Sequence, residues 1–101
     1  MASLIIHFWR DIPSQVIVKS GRRTAKRELS ERFLRAIDAA AMHAGAQSDD
    51  AYLADWRRGE PMACGDDLEK EAETAAARLE AEYDRRRLAQ LAKHDGREGQ
   101  S

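Results

Sequence analysis

The feature that most constrains the fold is a short apolar segment near the start of the chain, Ser3–Trp9. Its β-branched and aromatic residues are typical of a strand. Apolar residues occupy both the odd and the even positions, which indicates a strand covered on both sides and therefore central in its sheet. In an extended conformation, Leu4, Ile6 and Phe8 would share one face, and Ile5 and Trp9 the other.

The next residues predict a hairpin. Arg10–Pro13 is typical of a turn, because aspartate favours turns and proline has no N–H for a sheet ladder. Gln15–Lys19 has the β-branched character of a second strand, and the short connection predicts antiparallel pairing. A two-stranded hairpin is marginal in water and needs further elements to cover it. If the face with Ile5, Trp9 and Ile17 or an edge strand stayed open, it would favour a homodimer.

Helical periodicity begins after the hairpin. Thr24 is a suitable N-cap for a helix that runs to about Ala44. Its apolar stripe includes Leu29, Phe33 and Ile37, at the spacing of one helix face.

The second half predicts a short helix, a strand and a long helix. Residues 48–59 form the short helix, 61–64 a third short strand, and 66–95 the long helix. The predicted fold class is α+β: an N-terminal antiparallel hairpin plus a third short strand, packed on two long helices and one short helix. We expect one domain over residues 3–95 and a flexible tail over 96–101.

Composition restricts the class of protein. The 101-residue chain has a single cysteine, Cys64, which cannot form an intramolecular disulfide. No stretch approaches the roughly 20 apolar residues that span a bilayer, and no secretory leader is visible. We therefore expect a cytoplasmic protein with no membrane contact and no cofactor.

Charge is distributed unevenly along the chain. Residues 1–35 contain eight Lys and Arg against three acids, whereas residues 36–85 contain five against thirteen. The cations concentrate in one segment: Lys19, Arg22, Arg23, Lys26 and Arg27. With Thr24 as N-cap, this segment would lie at the positive end of a helix dipole, where backbone N–H groups bind anions.

This cation segment predicts a surface for an acidic or phosphorylated protein partner, with Arg57 and Arg58 as further contacts. It could instead be a solvated charge run, or pair with the acidic long helix. The Gly-Lys-Ser/Thr ending of a phosphate-binding loop is absent, so ATP hydrolysis is not indicated. Net charge is −1 and interleaved aromatics are missing, which argues against nucleic acid.

No other residues form a catalytic or metal-binding set. His7, His43 and His94 lack the paired spacing of zinc ligands. Cys64 precedes a predicted helix start, where the dipole can lower a thiol pKa and His7 could approach; the alternative is a buried small hydrophobe. In the short helix, Leu53 and Trp56 are expected in the core. We expect a protein that is not an enzyme.

Several short motifs together resemble the small bacterial proteins labelled "virulence factor" domain, of the stand-alone alphaproteobacterial type. The matching segments are Phe8–Pro13, Gln15–Val18, Gly21–Arg23, Leu29–Phe33, Tyr52–Leu53, Trp56–Arg57 and Asp66–Leu68. The resemblance covers residues 3–92 and supplies no catalytic residues. It implies an accessory or binding role, in a corrinoid or folate one-carbon methyltransfer context. A small-anion or nucleic-acid binding domain and a thiol-dependent activity at Cys64 remain the alternatives.

Overall fold

The computed structural model describes residues 2–46 and 48–97 and confirms the α+β class. The elements in chain order are β1 Ala2–Trp9, β2 Ile12–Ser20, β3 Arg23–Glu28, α1 Glu31–Ala44, α2 Asp49–Ala54, β4 Trp56–Arg58, β5 Met62–Cys64, α3 Leu68–Glu82 and α4 Arg85–Lys93. Residues 98–101 of the predicted tail lie outside the described part.

The sheet is antiparallel, and β1 is central as predicted. Its strand order is β3-β2-β1-β4, and β5 pairs with the other end of β1. The predicted third strand over 61–64 is thus confirmed as β5. Helices α1 and α3 pack on one face of the sheet, and α4 packs on α1.

Trp9 lies on the opposite side from the one predicted by simple alternation. The β1–β2 register shifts between His7 and Phe8. Trp9 is fully buried in the same cluster as Leu4 and Val18. A bulge inserts one extra residue into a ladder and re-aims the side chains beyond it. The prediction that Trp9 shares a face with Ile5 was therefore wrong.

The predicted helix start at Thr24 was also wrong. Residues 23–28 form β3, which pairs along its whole length with β2, and Gly21 makes the turn at a positive φ of 61°. Helix α1 begins at Glu31, with Ser30 as its extended N-cap residue. The spacing from Leu29 to Phe33 continues backward to Ala25, a buried strand residue, so apolar periodicity alone could not locate the boundary.

Two further boundaries differ from the prediction. The short helix ends at Ala54, and Trp56–Arg58 pairs with β1 as a strand. The long helix is broken between α3 and α4, where the Asp84 side chain accepts a hydrogen bond from the Arg87 amide. Arg32 donates from Nη2 to the carbonyls of Glu80 and Tyr83, which satisfies two groups at the C-terminal end of α3.

The substitution Asp84→Ala tests the break, because a broken helix and a continuous helix predict opposite changes in the free energy of unfolding. As an N-cap, Asp84→Ala removes a hydrogen bond and should lower the free energy of unfolding by about 1 kcal/mol. In one continuous helix the same change would stabilise, because alanine has the highest helix propensity. Urea unfolding measures the difference.

Asp38→Ala, in the exposed middle of α1, serves as the matched control and should be neutral or stabilising. A gain in stability for Asp84→Ala would contradict the break.

Candidate functional site

One face of the sheet lies outside the helix-packed core. Ile5 and Ile17 are buried but do not belong to the main hydrophobic core cluster. They lie opposite each other on the paired strands β1 and β2. The strand registers place further side chains on the same side. We call this surface the open sheet face: Ser3, Ile5, His7, Gln15, Ile17, Lys19, Thr24, Lys26, Glu28, Arg58 and Ala63.

Three cations on the open sheet face form no ion pair with the described residues, although the same face also carries Glu28. Lys26 lies opposite Ile17, and Arg58 lies opposite His7. Lys19 extends the row along β2, and all three cations are exposed. None of the ion pairs within residues 2–46 and 48–97 involves them. The structure therefore brings Lys19, Lys26 and Arg58 together around an apolar centre.

The pKa of His7 is affected by the positive charges on this face. Partial burial lowers the pKa of His7 first, and the nearby charges of Arg58, Lys26 and Lys19 lower it further. Gln15 Nε2 lies 3.2 Å from His7 Nδ1. If the amide donates in this contact, Nδ1 must be unprotonated, as in the neutral imidazole. His7 Nε2 is enclosed and has no hydrogen-bond partner among the described residues.

The other predicted cations are distributed differently. Arg27 pairs with Glu69 of α3 at 3.3 Å. Arg57 pairs with Asp11 at 3.3 Å and lies over the Phe8 ring, 4.4 Å from its centroid. These two arginines already have partners within the chain.

Arg22 and Arg23 lie at the exposed turn between β2 and β3. Neither takes part in an ion pair among the described residues. Arg23 shares the side of β3 that carries Ala25 and Arg27, opposite to the open sheet face. The predicted cluster is thus divided between the open sheet face, the turn and internal pairs, and it does not lie at a helix N-terminus.

Sequence reasoning did not predict that His7 lies on the open sheet face beside Arg58 and Gln15. Its signal was present in the alternation of β1, which places His7 on the same side as Ile5. Strand pairing then decides that Arg58 and Gln15 become its neighbours. A separate feature was also missed: Arg85, Arg86 and Arg87 occupy the first turn of α4, the helix that does begin with cations.

Cys64 lies far from His7. It pairs with Ala2 at one end of β1, and His7 is five residues further on, about 17 Å along an extended strand. The thiol lines a groove of about 300 Å³ between β5 and α3. Burial raises the pKa of Cys64, and Glu71 and Asp66 raise it further. This environment disfavours the thiolate.

Two other expectations have structural outcomes. Leu53 is 64% exposed, so its predicted place in the core was wrong. Trp56 is partly buried and meets Tyr52 edge-on, with ring centroids 5.9 Å apart. The described residues contain no group of three or more His, Cys, Asp and Glu arranged to hold a metal, and none of their helices is long and apolar enough to cross a membrane.

The lowered pKa of His7 predicts a pH effect on stability. Below the ordinary histidine pKa of 6.5, the unfolded chain takes up the proton while folded His7 resists it. Proton uptake by the unfolded state lowers stability, so this contribution is present above pH 6.5 and is lost as pH falls toward the folded pKa. Urea unfolding at pH 7.5 and 5.5 should show a smaller loss for His7→Gln than for wild type.

His94→Gln is the control for this experiment, since His94 is exposed. It should keep the wild-type pH dependence. Equal losses in wild type and His7→Gln would contradict the assigned environment.

The raised pKa of Cys64 predicts a slow thiol. Its reaction with a disulfide reagent should follow a titration above the ordinary value of 9.0. Glu71→Gln should lower that titration, because it removes a neighbouring negative charge. A thiol that reacts fully at pH 7 would show that the carboxylates do not control it.

Comparison with known proteins assigns the chain to a family. No curated protein and no solved structure matches the chain. The family described as Virulence factor matches residues 7–92, a range that includes β2, β3, the helices α1 to α3 and all of α4 except its last residue. The chain therefore belongs to the virulence-factor domain family.

Proposed function

We propose that this protein is a non-catalytic interaction module that binds an acidic or phosphorylated partner protein on the open sheet face. The observation that carries the proposal is the trio Lys19, Lys26 and Arg58, which surrounds Ile5 and Ile17 without internal carboxylate partners. Ile5 and Ile17 are themselves only 8% and 5% exposed, so a partner would contact chiefly the polar and charged side chains around them.

The internal ion pairs strengthen this assignment. The chain has 18 acids for 17 cations, so counter-charges are plentiful. Arg10, Arg27 and Arg57 each find a carboxylate within 3.3 Å. The open-face cations form no such pair, even though Glu28 lies on the same face. An external acidic surface would supply the missing charge and steer association.

A partner protein fits better than nucleic acid or a small anion. The net charge is −1, which opposes approach to a polyanion. The open sheet face carries no Trp, Tyr or Phe on which bases could stack, among the residues that define it. A sheet surface also offers a small anion few directions of contact, whereas a protein can cover all three cations at once.

Thiol chemistry at Cys64 is the weaker alternative. Its raised pKa leaves little thiolate at neutral pH, and its carboxylate neighbours Glu71 and Asp66 would repel an anionic substrate. The resemblance to the family adds a context for the proposed module, a corrinoid or folate methyltransfer assembly, in which an accessory protein would dock on an enzyme.

Charge reversal tests the proposal. Lys19→Glu/Lys26→Glu should abolish capture of the specific partner from a bacterial lysate in an affinity pull-down. Binding by wild type should weaken as salt is raised, because the contacts are exposed charges. Arg85→Glu/Arg86→Glu changes the net charge equally on a different part of the fold and should leave capture unchanged.

Two results would overturn the proposal. One is an identical set of captured proteins for wild type and Lys19→Glu/Lys26→Glu. The other is equal loss in both double variants, which would indicate a response to net charge alone.

A further inference from the structure

The outer edge of the sheet is formed by β3, Arg23–Glu28. This strand pairs with β2 on one side and with no strand of the described residues on the other. With six residues it is twice as long as β4 or β5, which have three each. An edge strand presents unpaired N–H and C=O groups that can accept another strand.

The ladder identifies which backbone groups point outward. The Leu29 amide donates to the Ser14 carbonyl at 3.0 Å, in register with the β2–β3 pairs. Hydrogen-bonded pairs alternate along an antiparallel ladder, so the odd residues of β3 bond to β2. The N–H and C=O groups of Thr24, Lys26 and Glu28 therefore face away from the sheet.

A contact within the chain agrees with this assignment. The Lys26 carbonyl accepts a hydrogen bond from Arg27 Nη1 at 2.8 Å. The Arg27 guanidinium thus lies at the edge, between a backbone acceptor and Glu69. An incoming N–H could take its place at the carbonyl, and an incoming carboxylate could take the place of Glu69.

Charge argues against a second copy of this strand as the occupant. Three two-fold antiparallel registers align at least two of the outward residues of β3 with those of another β3. They place Lys26 opposite Lys26, Arg23 opposite Arg27, or Arg27 opposite Arg27, and only the last also pairs Lys26 with Glu28. Like charges directly opposite are destabilising. An acidic strand avoids these cation–cation repulsions and gains an opposite charge at Lys26 on one side of the sheet and at Arg23 and Arg27 on the other, with Glu28 as the one like charge that it meets on β3.

We propose that β3 accepts an extended acidic segment of the partner as an additional antiparallel strand, through the outward groups of Thr24, Lys26 and Glu28. This inference rests on the proposed function and specifies how the partner binds. Main-chain hydrogen bonds would supply affinity, as in other cases of strand addition. Acidic side chains opposite Lys26, and opposite Arg23 and Arg27 on the other side, would supply selectivity.

The experiment uses a fluorescein-labelled peptide of four Thr-Glu repeats, with four Thr-Lys repeats as the control peptide. Fluorescence anisotropy should show binding of the acidic peptide alone. With the acidic peptide bound to wild type, amide exchange followed by NMR should slow at Thr24, Lys26 and Glu28. This second readout needs no substitution.

Thr24→Pro separates backbone pairing from charge. It removes one outward N–H, keeps every cation and spares the bonds to β2. Loss of one such hydrogen bond should weaken binding about three- to tenfold, after circular dichroism confirms the fold. Thr24→Val keeps the N–H and should bind within about twofold of wild type.

The outcomes distinguish this inference from the proposed function. Unchanged amide exchange, or equal binding by Thr24→Pro and Thr24→Val, would overturn strand addition. If Lys19→Glu/Lys26→Glu still lost the partner, the open sheet face would remain the docking site. No binding of the acidic peptide at millimolar concentration would overturn the inference, as would a wild-type dimer that dissociates on Thr24→Pro.

Discussion

The register shift between His7 and Phe8 is the constraint on which both surfaces of the sheet depend. Before the shift, Leu4 packs against the helices; after it, Trp9 joins the same core. The Trp9 indole donates from Nε1 to the Tyr52 carbonyl at 2.8 Å. A buried indole N–H needs such a partner, because leaving it unpaired costs the full desolvation penalty. The shift thus fixes the position of α2 and leaves the opposite side of β1 to Ile5 and His7.

Ion pairing also differs between the helix side of the sheet and the open sheet face. Three cations away from the open sheet face find internal acceptors: Arg10 pairs with Asp55, Arg27 with Glu69 and Arg32 with Glu80. The open sheet face receives no helix, and Glu28 is the one acidic residue among those that define it. Its cations remain available, and partial burial together with these cations lowers the pKa of His7. The proposed docking of an acidic partner follows from this asymmetry, since carboxylates of the partner would pair with the cations that form no ion pair within the chain.

Much of the architecture was predictable because it depends on local patterns. The β-branched run from Ser3 to Trp9 predicted a central strand, and β1 is central. The short connection after Trp9 predicted antiparallel pairing with the next strand, and β1 and β2 are antiparallel. The boundary at Thr24 was not predictable in this way. Lys26 and Arg27 suit a helix or an edge strand equally, and pairing with β2 decides between them.

The sequence by itself determined the fold class, the strand character of the first segment, the helical stripes and the identity of the crowded cations. These follow from side-chain shape and periodicity, which act over a few residues. Only the tertiary structure decided which cations pair internally, that Trp9 turns into the core and that β3 presents an open edge. Those outcomes depend on contacts between segments distant in the chain, such as Arg27 with Glu69 and His7 with Arg58, and no local pattern specifies them.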